Sequence, residues 1–200
     1  AHASSEIEST IGEHPHHGFE IVSFVLTGKI EHYDSLQKKW IRLNQGDVQV
    51  IQSASGISHA EKLCDNSSIF QIWFDPDLSK SIHSSPSYND YAHNVFPTNT
   101  DQGYTEKVIY GSASPVQMKT SLFYIKELSF KEGKYSITVQ NDSCLSIYNL
   151  GPSMDIVDVD KLRAFATHDF AIVKDCDNIT FAINKPTKLF VISSPLEVPY

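Results

Sequence analysis

The sequence predicts an all-β protein built from two antiparallel β-barrels in tandem. Short runs rich in Val, Ile, Phe, Tyr and Trp recur along the chain and are separated by turn residues, as in consecutive antiparallel strands. The runs stop in a polar segment over residues 75–103 and then resume. Two groups of strands on either side of one long connection therefore predict two β-domains.

The first group of strands begins at Phe19 and ends near Phe74. Its runs are FEIVSFVLTGKIEHYD, WIRLNQGDVQVIQ and SSIFQIWF, with turn residues at Gly28, at 44–47 and at 55–56. β-branched and aromatic residues fit a pleated, half-buried surface, so we expect few helices here.

The segment 75–103 has a different composition from its neighbours. Pro, Ser, Asn and Asp replace the β-branched residues, which makes it too polar for a core strand. We interpret it as a long, ordered connection that carries several aromatic anchors. The predicted domains are therefore residues 1–118, which include this connection, and residues 119–200.

The second group consists of eight short runs at roughly ten-residue spacing, which predicts a second antiparallel sandwich or barrel. The runs are VIYGSA, SLFYIKELSF, GKYSITVQ, CLSIYNL, MDIVDV, DFAIVKD, NITFAI and TKLFVISS. The stretch DIVDVDKLRAFATHDFAIVKD has the same rhythm as the earlier KIEHYDSLQKKWIRLNQGDVQVIQ. This faint repeat indicates that the two barrels are related.

Composition and charge exclude several classes of function. No stretch approaches the roughly 18 uninterrupted apolar residues of a membrane-spanning helix. The formal net charge of -8 repels a phosphate backbone, so direct binding to nucleic acid is disfavoured. Cys64, Cys144 and Cys176 form no CxxC pair, which fits reduced thiols better than disulfides. With no secretory signal at the first residues, these observations predict a cytoplasmic protein that does not bind membranes.

Two short motifs contain the residues that are candidates for binding a metal. HPHHGFE, residues 14–20, places His14 and His16 on one face of a strand, and GISHAE does the same for His59 and Glu61. If the two strands are neighbours and both pairs face inward, three imidazoles and one carboxylate converge. That donor set suits iron, manganese, nickel, copper or zinc better than calcium or magnesium. With nine histidines in the chain, an exposed histidine cluster is the alternative.

The order of the motifs resembles the pirin family, whose members are bicupin proteins of the cupin superfamily. The matching elements are HPH-x-GFE, H-x-DS, GDVQ, GI-x-H-x-E and QIW, and they cover residues 14–76. Beyond residue 76 the resemblance is one of strand rhythm only. It implies two cupin barrels of the jelly-roll type, with a metal in the first barrel and none in the second.

The resemblance also implies the ligands and the metal. The family's ligand positions fall on His14, His16, His59 and Glu61. Family members usually hold one divalent ion there, most often Fe(II), while Zn, Ni, Mn and Cu are alternatives. His168 stands alone in the second half and is expected to be a turn residue.

Two features depart from the family pattern. The family carries a longer segment before the first motif, including a strand that helps to close the first barrel, whereas thirteen residues precede His14 here. We therefore expect a first barrel that is shortened at its start, with an edge that is open or covered by another element. Ala54 stands where the family tends to have glycine, which matters only if the backbone there needs a positive φ.

The function that the resemblance implies is a dioxygenase acting on a flavonol such as quercetin, or on a related small phenolic compound. A carboxylate, Glu61 or Glu20, would take the hydroxyl proton, and dioxygen would cleave the heterocycle with loss of carbon monoxide. A structural hydrogen bond is the alternative role for Glu20. The alternative function is a regulatory protein whose protein partners respond to the oxidation state of the metal.

Phe24, Gln49, Gln71 and Trp73 are candidates for lining the cavity around the metal, with packing in the core as the alternative for the aromatic side chains. Gln71 and Trp73 follow the second motif, and for Trp73 packing between strands is the alternative. His32 is expected to support a hairpin turn after Gly28, with contact to the pocket as the alternative.

Overall fold

The structure is a computed structural model that describes residues 1–101, 103–158, 161–198 and 200. Strands account for almost all of its regular structure, which confirms the all-β class. The strands are β1 (His2–Ser5), β2 (Ser9–His16), β3 (Glu20–Thr27), β4 (Lys29–Asp34), β5 (Ile41–Asn44), β6 (Val48–Gln52), β7 (Ile57–Leu63), β8 (Ser67–Phe74), β9 (Ser87–Tyr91), β10 (Thr98–Asp101), β11 (Tyr104–Tyr110), β12 (Tyr124–Phe130), β13 (Gly133–Thr138), β14 (Ser143–Asn149), β15 (Met154–Asp158), β16 (Lys161–Phe165), β17 (Phe170–Val173), β18 (Asn178–Ile183) and β19 (Thr187–Pro195). A short helix α1 (Leu78–Ser81) and a 3-10 turn (His93–Val95) interrupt them. No helix in the described part of the chain has the length and apolar character needed to cross a membrane.

The chain divides into two compact units. The first comprises Ala1–Val95 and Val116–Thr120, and the second comprises Phe96–Pro115 and Ser121–Tyr200. The predicted boundary between residues 118 and 119 falls in the short segment that returns to the first unit. As a boundary between independently folding domains it stays a prediction.

The first unit is built from two antiparallel sheets. One has the strand order β1-β8-β3-β6-β9 and the other β2-β7-β4-β5. The chain passes from the first sheet to the second at Gly28, because β3 pairs with β6 and β8 whereas β4 pairs with β5 and β7. Gly28 is therefore a crossing point between the sheets, and the hairpin expected after it is formed by β4 and β5, with Asp34 accepting the Leu36 and Gln37 N–H groups in its turn. Apolar side chains such as Ile30 and Leu43 are buried between the strands.

The residues before His14 supply strands to both sheets. β1 pairs with β8 from His2 opposite Phe70 to Ser5 opposite Ser67, and β2 pairs with β7. The sequence predicted an edge that is open or covered by another element. Among the described residues, β1 covers the edge of β8. The element that covers this edge therefore comes from the chain itself.

The segment 75–103 contains more regular structure than expected for a connection. β9 adds to the five-stranded sheet by pairing with β6, from Val48 opposite Tyr91 to Gln52 opposite Ser87. A strand at a sheet edge tolerates polar residues because only part of its surface is buried. The polar composition of this segment therefore gave no indication of β9.

The second unit is also built from two antiparallel sheets. Their strand orders are β10-β11-β12-β19-β14-β17 and β13-β18-β15-β16. Fully buried Leu145, Ile147 and Phe181 belong to one apolar cluster of this unit. The predicted runs correspond to strands here, although MDIVDV extends to Val159, which lies outside the described residues. These findings confirm a fold of two antiparallel β-units.

The crossing at Gly28 gives a stability prediction. Gly28 has φ +67°, and a Cβ at this position would collide with Ser67 Oγ and lie 2.8 Å from the Asn66 carbonyl oxygen. Ser67 Oγ also accepts the Lys29 backbone N–H at 2.8 Å. We expect Gly28→Ala to lower the free energy of unfolding of the first unit by about 3 kcal/mol, from backbone strain and overpacking.

Urea unfolding followed by tryptophan fluorescence measures this effect, because Trp40 and Trp73 both lie in the first unit and the chain has two tryptophans. Gly12→Ala is the matched control, since a Cβ there has no atom within 4 Å. It should change stability by less than about 0.5 kcal/mol. Equal stability of the two variants would contradict the prediction.

Candidate metal centre

The two sequence motifs lie on neighbouring strands of the four-stranded sheet. β2 and β7 are antiparallel, with His14 opposite His59 and His16 opposite Ile57. The register shifts by a bulge between Ile11 and His14, and Ile11 lies opposite Glu61. Bulges re-aim side chains, and this one precedes the HPH motif directly.

The three histidines of these strands form a compact cluster. His59 Nε2 lies 3.1 Å from His14 Nε2 and 3.0 Å from His16 Nε2. The ring centroids are 4.6–4.8 Å apart in all three pairs. His16 and His59 are buried and His14 is half-buried. The cluster is therefore open to solvent on the His14 side.

Hydrogen bonding fixes the tautomer of His14. Its Nδ1 lies 2.8 Å from the Gly12 carbonyl oxygen, which only accepts hydrogen bonds, so Nδ1 carries the proton. The lone pair of His14 Nε2 then faces His59. Metal-binding histidines are commonly oriented in this way, with the distal N–H held by a carbonyl or carboxylate. The histidine cluster therefore fits a divalent transition metal.

Burial keeps the imidazoles of His16 and His59 neutral. It lowers the pKa of His59 to about 3, with further lowering from His14, His16 and His32. Burial also lowers the pKa of His16, and His14 adds to the effect. Since only a neutral imidazole offers a lone pair, both side chains are available to a metal at neutral pH.

Glu61 follows His59 by two residues on the same face of β7. Its carboxyl accepts from Gln49 Nε2 at 2.8 Å, from Gln71 Nε2 at 3.1 and 3.2 Å, and from Ser23 Oγ at 3.4 Å. Those three donors lie side by side on the opposing sheet, since Ser23 pairs with Gln49 on β6 and with Gln71 on β8. Burial raises the pKa of Glu61, although the bonds from Gln71 and Gln49 oppose this.

Glu61 also belongs to a second group of donor atoms. One of its oxygens and one nitrogen each from His32 and His59 lie within 4.8 Å of one another. The ligand nitrogens of His14, His16 and His59 also lie within 4.8 Å of one another, and this group does not include the Glu61 carboxylate. Glu61 as a fourth ligand therefore stays a prediction.

His32 lies beside His59 and, as expected, next to a hairpin turn, since it pairs with Ile41 at the end of β4 and β5. It is fully buried, its Nε2 lies 2.7 Å from Asp34 Oδ2, and its ring stacks on Tyr88 at 4.3 Å. β4 pairs His32 with Glu61 and Asp34 with His59, so both face the site. The signal in the sequence was the alternation of His32 and Asp34, which matches that of His59 and Glu61.

Glu20 lies on the other face of β3 from Ser23. It is 1% exposed, and its carboxylate accepts hydrogen bonds from Gln52 Nε2, from the Lys119 backbone N–H and from both the N–H and the hydroxyl of Thr120. These contacts favour the structural alternative for Glu20 and leave Glu61 as the carboxyl next to the histidines.

Comparison with known proteins agrees with this architecture. The pirin family model matches residues 1–74. Pirin of Mus musculus is 26% identical over 196 residues, which cover 94% of this chain and 67% of the mouse protein. Over residues 1–74 the chain therefore resembles the pirin family. It spans about two thirds of the length of the mouse pirin.

Solved structures show the same fold as this chain. A quercetin 2,3-dioxygenase from Acinetobacter baumannii has a TM-score of 0.81 at 18% identity, over 98% of this chain and 73% of that one. A bacterial pirin from Escherichia coli, in complex with nickel(II), has a TM-score of 0.73 at 18% identity, over 97% and 80%.

The loop before β7 shows how this chain accommodates Ala54. Ala54 adopts φ +44°, in the left-handed region where glycine is favoured, and its carbonyl accepts the Gly18 N–H at 2.9 Å. The nearby Gly56 lines a cavity of about 390 Å³ together with His16 and the exposed His17. The loop thus keeps the conformation of a glycine, and it contributes to an open cavity that His16 also lines.

Proposed function

We propose that this protein is a metal-dependent dioxygenase acting on a flavonol such as quercetin, or on a related small phenolic compound. The observation that carries the proposal is the cluster of His14, His16 and His59, open to solvent at the half-buried His14, with a buried carboxyl at Glu61. The similarity to a structure of a quercetin 2,3-dioxygenase supports this substrate class.

One divalent transition metal would be held by the three histidines, with Glu61 as the fourth ligand. Fe(II) is the proposed ion, and Zn, Ni, Mn and Cu are the alternatives. The nickel(II) complex of the Escherichia coli pirin supports a divalent transition ion in this family. When bound, such an ion supplies Lewis acidity and a site where a phenolic compound and dioxygen meet.

Glu61 is proposed to take the proton of the phenolic hydroxyl. Burial raises the pKa of Glu61 in the metal-free protein and so favours proton uptake, whereas a bound cation would lower that pKa. Gln49 and Gln71 hold the carboxyl from the opposite side, which fixes its direction. The active form is the carboxylate, so activity should fall as the pH drops below the pKa of Glu61.

Oxygen uptake with quercetin tests the proposal. Metal-loaded protein should consume one O₂ and release one CO per quercetin, and Glu61→Gln should lower kcat by about 10²-fold or more at equal metal content. A flavone that lacks the 3-hydroxyl group is the matched control and should give no uptake. If Glu61→Gln with full metal turns over quercetin at the rate of the unmodified protein, Glu61 is not the base.

The cytoplasmic location and a protein partner stay predictions. Neither follows from the site.

A further inference from the structure

Trp73 lies at the edge of the histidine cluster and is half exposed. Its ring meets the His16 ring edge-on, with centroids 4.7 Å apart and an interplanar angle of 83°. The Phe19 ring lies 5.7 Å away on a tilted plane. Even so, 49% of Trp73 is accessible to solvent. A large aromatic surface therefore stays open directly beside a proposed metal ligand.

Hydrogen bonds connect this exposed ring to the buried carboxyl. Trp73 and Gln71 lie two residues apart on the same face of β8, and Trp73 Nε1 donates to Gln71 Oε1 at 2.7 Å. Gln71 Nε2 in turn donates to both oxygens of Glu61. Because the indole N–H is only a donor, it binds the amide oxygen and turns the amide nitrogen toward Glu61.

We propose that Trp73 binds the substrate and positions the base: its exposed face stacks a flat aromatic compound beside the metal, while its N–H orients Gln71 toward Glu61. This inference rests on the proposed function for its substrate class. Planar rings prefer offset or edge-on contact with an aromatic side chain, and Trp73 already makes an edge-on contact with His16. A flat phenolic compound fits the remaining surface.

Trp40 provides a matched control. It is 45% exposed, similar to Trp73, and lies in the same unit, but its contacts are the Tyr33 ring and the Lys62 ammonium group. Since the chain contains two tryptophans, each can be changed while the other is kept.

The first test is quercetin binding to zinc-loaded protein without oxygen, measured by calorimetry. Trp73→Ala should weaken binding about tenfold, which corresponds to about 1.4 kcal/mol. Trp73→Phe keeps an aromatic face and should bind within about threefold of the unmodified protein. Trp40→Ala should bind as the unmodified protein does. Unchanged affinity in Trp73→Ala, or equal loss in Trp40→Ala, would overturn the stacking role.

The second test separates positioning from stacking. Trp73→Phe lacks the N–H that orients Gln71, so its kcat for quercetin should fall while its KM stays close to that of the unmodified protein. An unchanged kcat in Trp73→Phe would overturn the positioning role. Thermal melting of each variant confirms that it is folded.

These results distinguish this inference from the proposed function. Binding that depends on Trp73 without any oxygen uptake supports the stacking role and contradicts the dioxygenase. Turnover that is the same in Trp73→Ala and in the unmodified protein supports the dioxygenase and contradicts the role of Trp73. No quercetin binding to the unmodified protein contradicts both.

Discussion

Replacing His59 with alanine is expected to lower the affinity for a divalent transition metal by more than about 100-fold. Loss of a group that only supports a ligand costs about 10- to 100-fold, and loss of a ligand should cost at least as much. His59 has the largest expected effect because its Nε2 lies between those of His14 and His16, within 3.1 Å of each. Competition with a chelator, using Ni(II) or Fe(II), measures the affinity.

His17→Ala is the control for this measurement. His17 is adjacent to His16 in sequence but exposed and outside the histidine cluster, so its loss should leave the metal affinity within about threefold. Thermal melting without metal shows whether His59→Ala is folded. A folded His59→Ala protein that binds metal as tightly as His17→Ala would rule out a metal at this cluster.

The sequence reveals the local part of the site because strand alternation is a short-range property. The spacing of two within HPH and within HAE predicts which side chains share a face, and the structure places His14 opposite His59. The bulge before His14 and the chain crossing at Gly28 depend on the pairing of distant strands. Neither the bulge nor the crossing produces a periodic pattern of residues, so neither could be predicted from the sequence.

The interpretation of Glu20 shows the same limit. Spacing along β3 relates Glu20 to His16 but gives no information about the chain at Lys119 and Thr120, about 100 residues away. Those backbone groups bind the carboxylate on the face opposite Ser23. Gln49 and Gln71, in contrast, were predicted to line the cavity. They lie on strands whose side chains alternate between the two faces of the sheet, so their facing could be read from the sequence.

The metal-free first unit is expected to lose stability as the pH falls from 7 to 5. Burial lowers the pKa values of His16, His32 and His59, so the unfolded chain binds more protons than the folded chain below about pH 6.5. Stability is therefore fully present above that pH and decreases below it. With a folded pKa of about 3, His59 alone accounts for a loss of about 2 kcal/mol at pH 5.

Glu61 acts in the opposite direction because its folded pKa is raised. As the pH falls, the buried carboxyl takes up a proton more readily than in the unfolded chain, which stabilises the fold. One carboxyl binds at most one proton, whereas three imidazoles are kept neutral. The three histidines should therefore outweigh Glu61, and the net effect of acid should be a loss of stability.

Urea unfolding at pH 7, 6 and 5, followed by tryptophan fluorescence, measures this dependence in the first unit. His59→Gln removes one titrating imidazole and should reduce the loss between pH 7 and pH 5 by about 2 kcal/mol. His17→Gln, at an exposed histidine, should keep the full loss. If the unmodified protein is equally stable at pH 7 and pH 5, or if His59→Gln shows the same loss, the histidines are not held neutral by burial. Because the folded pKa of His59 is about 3, its nitrogen stays available to a metal in the folded protein over this interval.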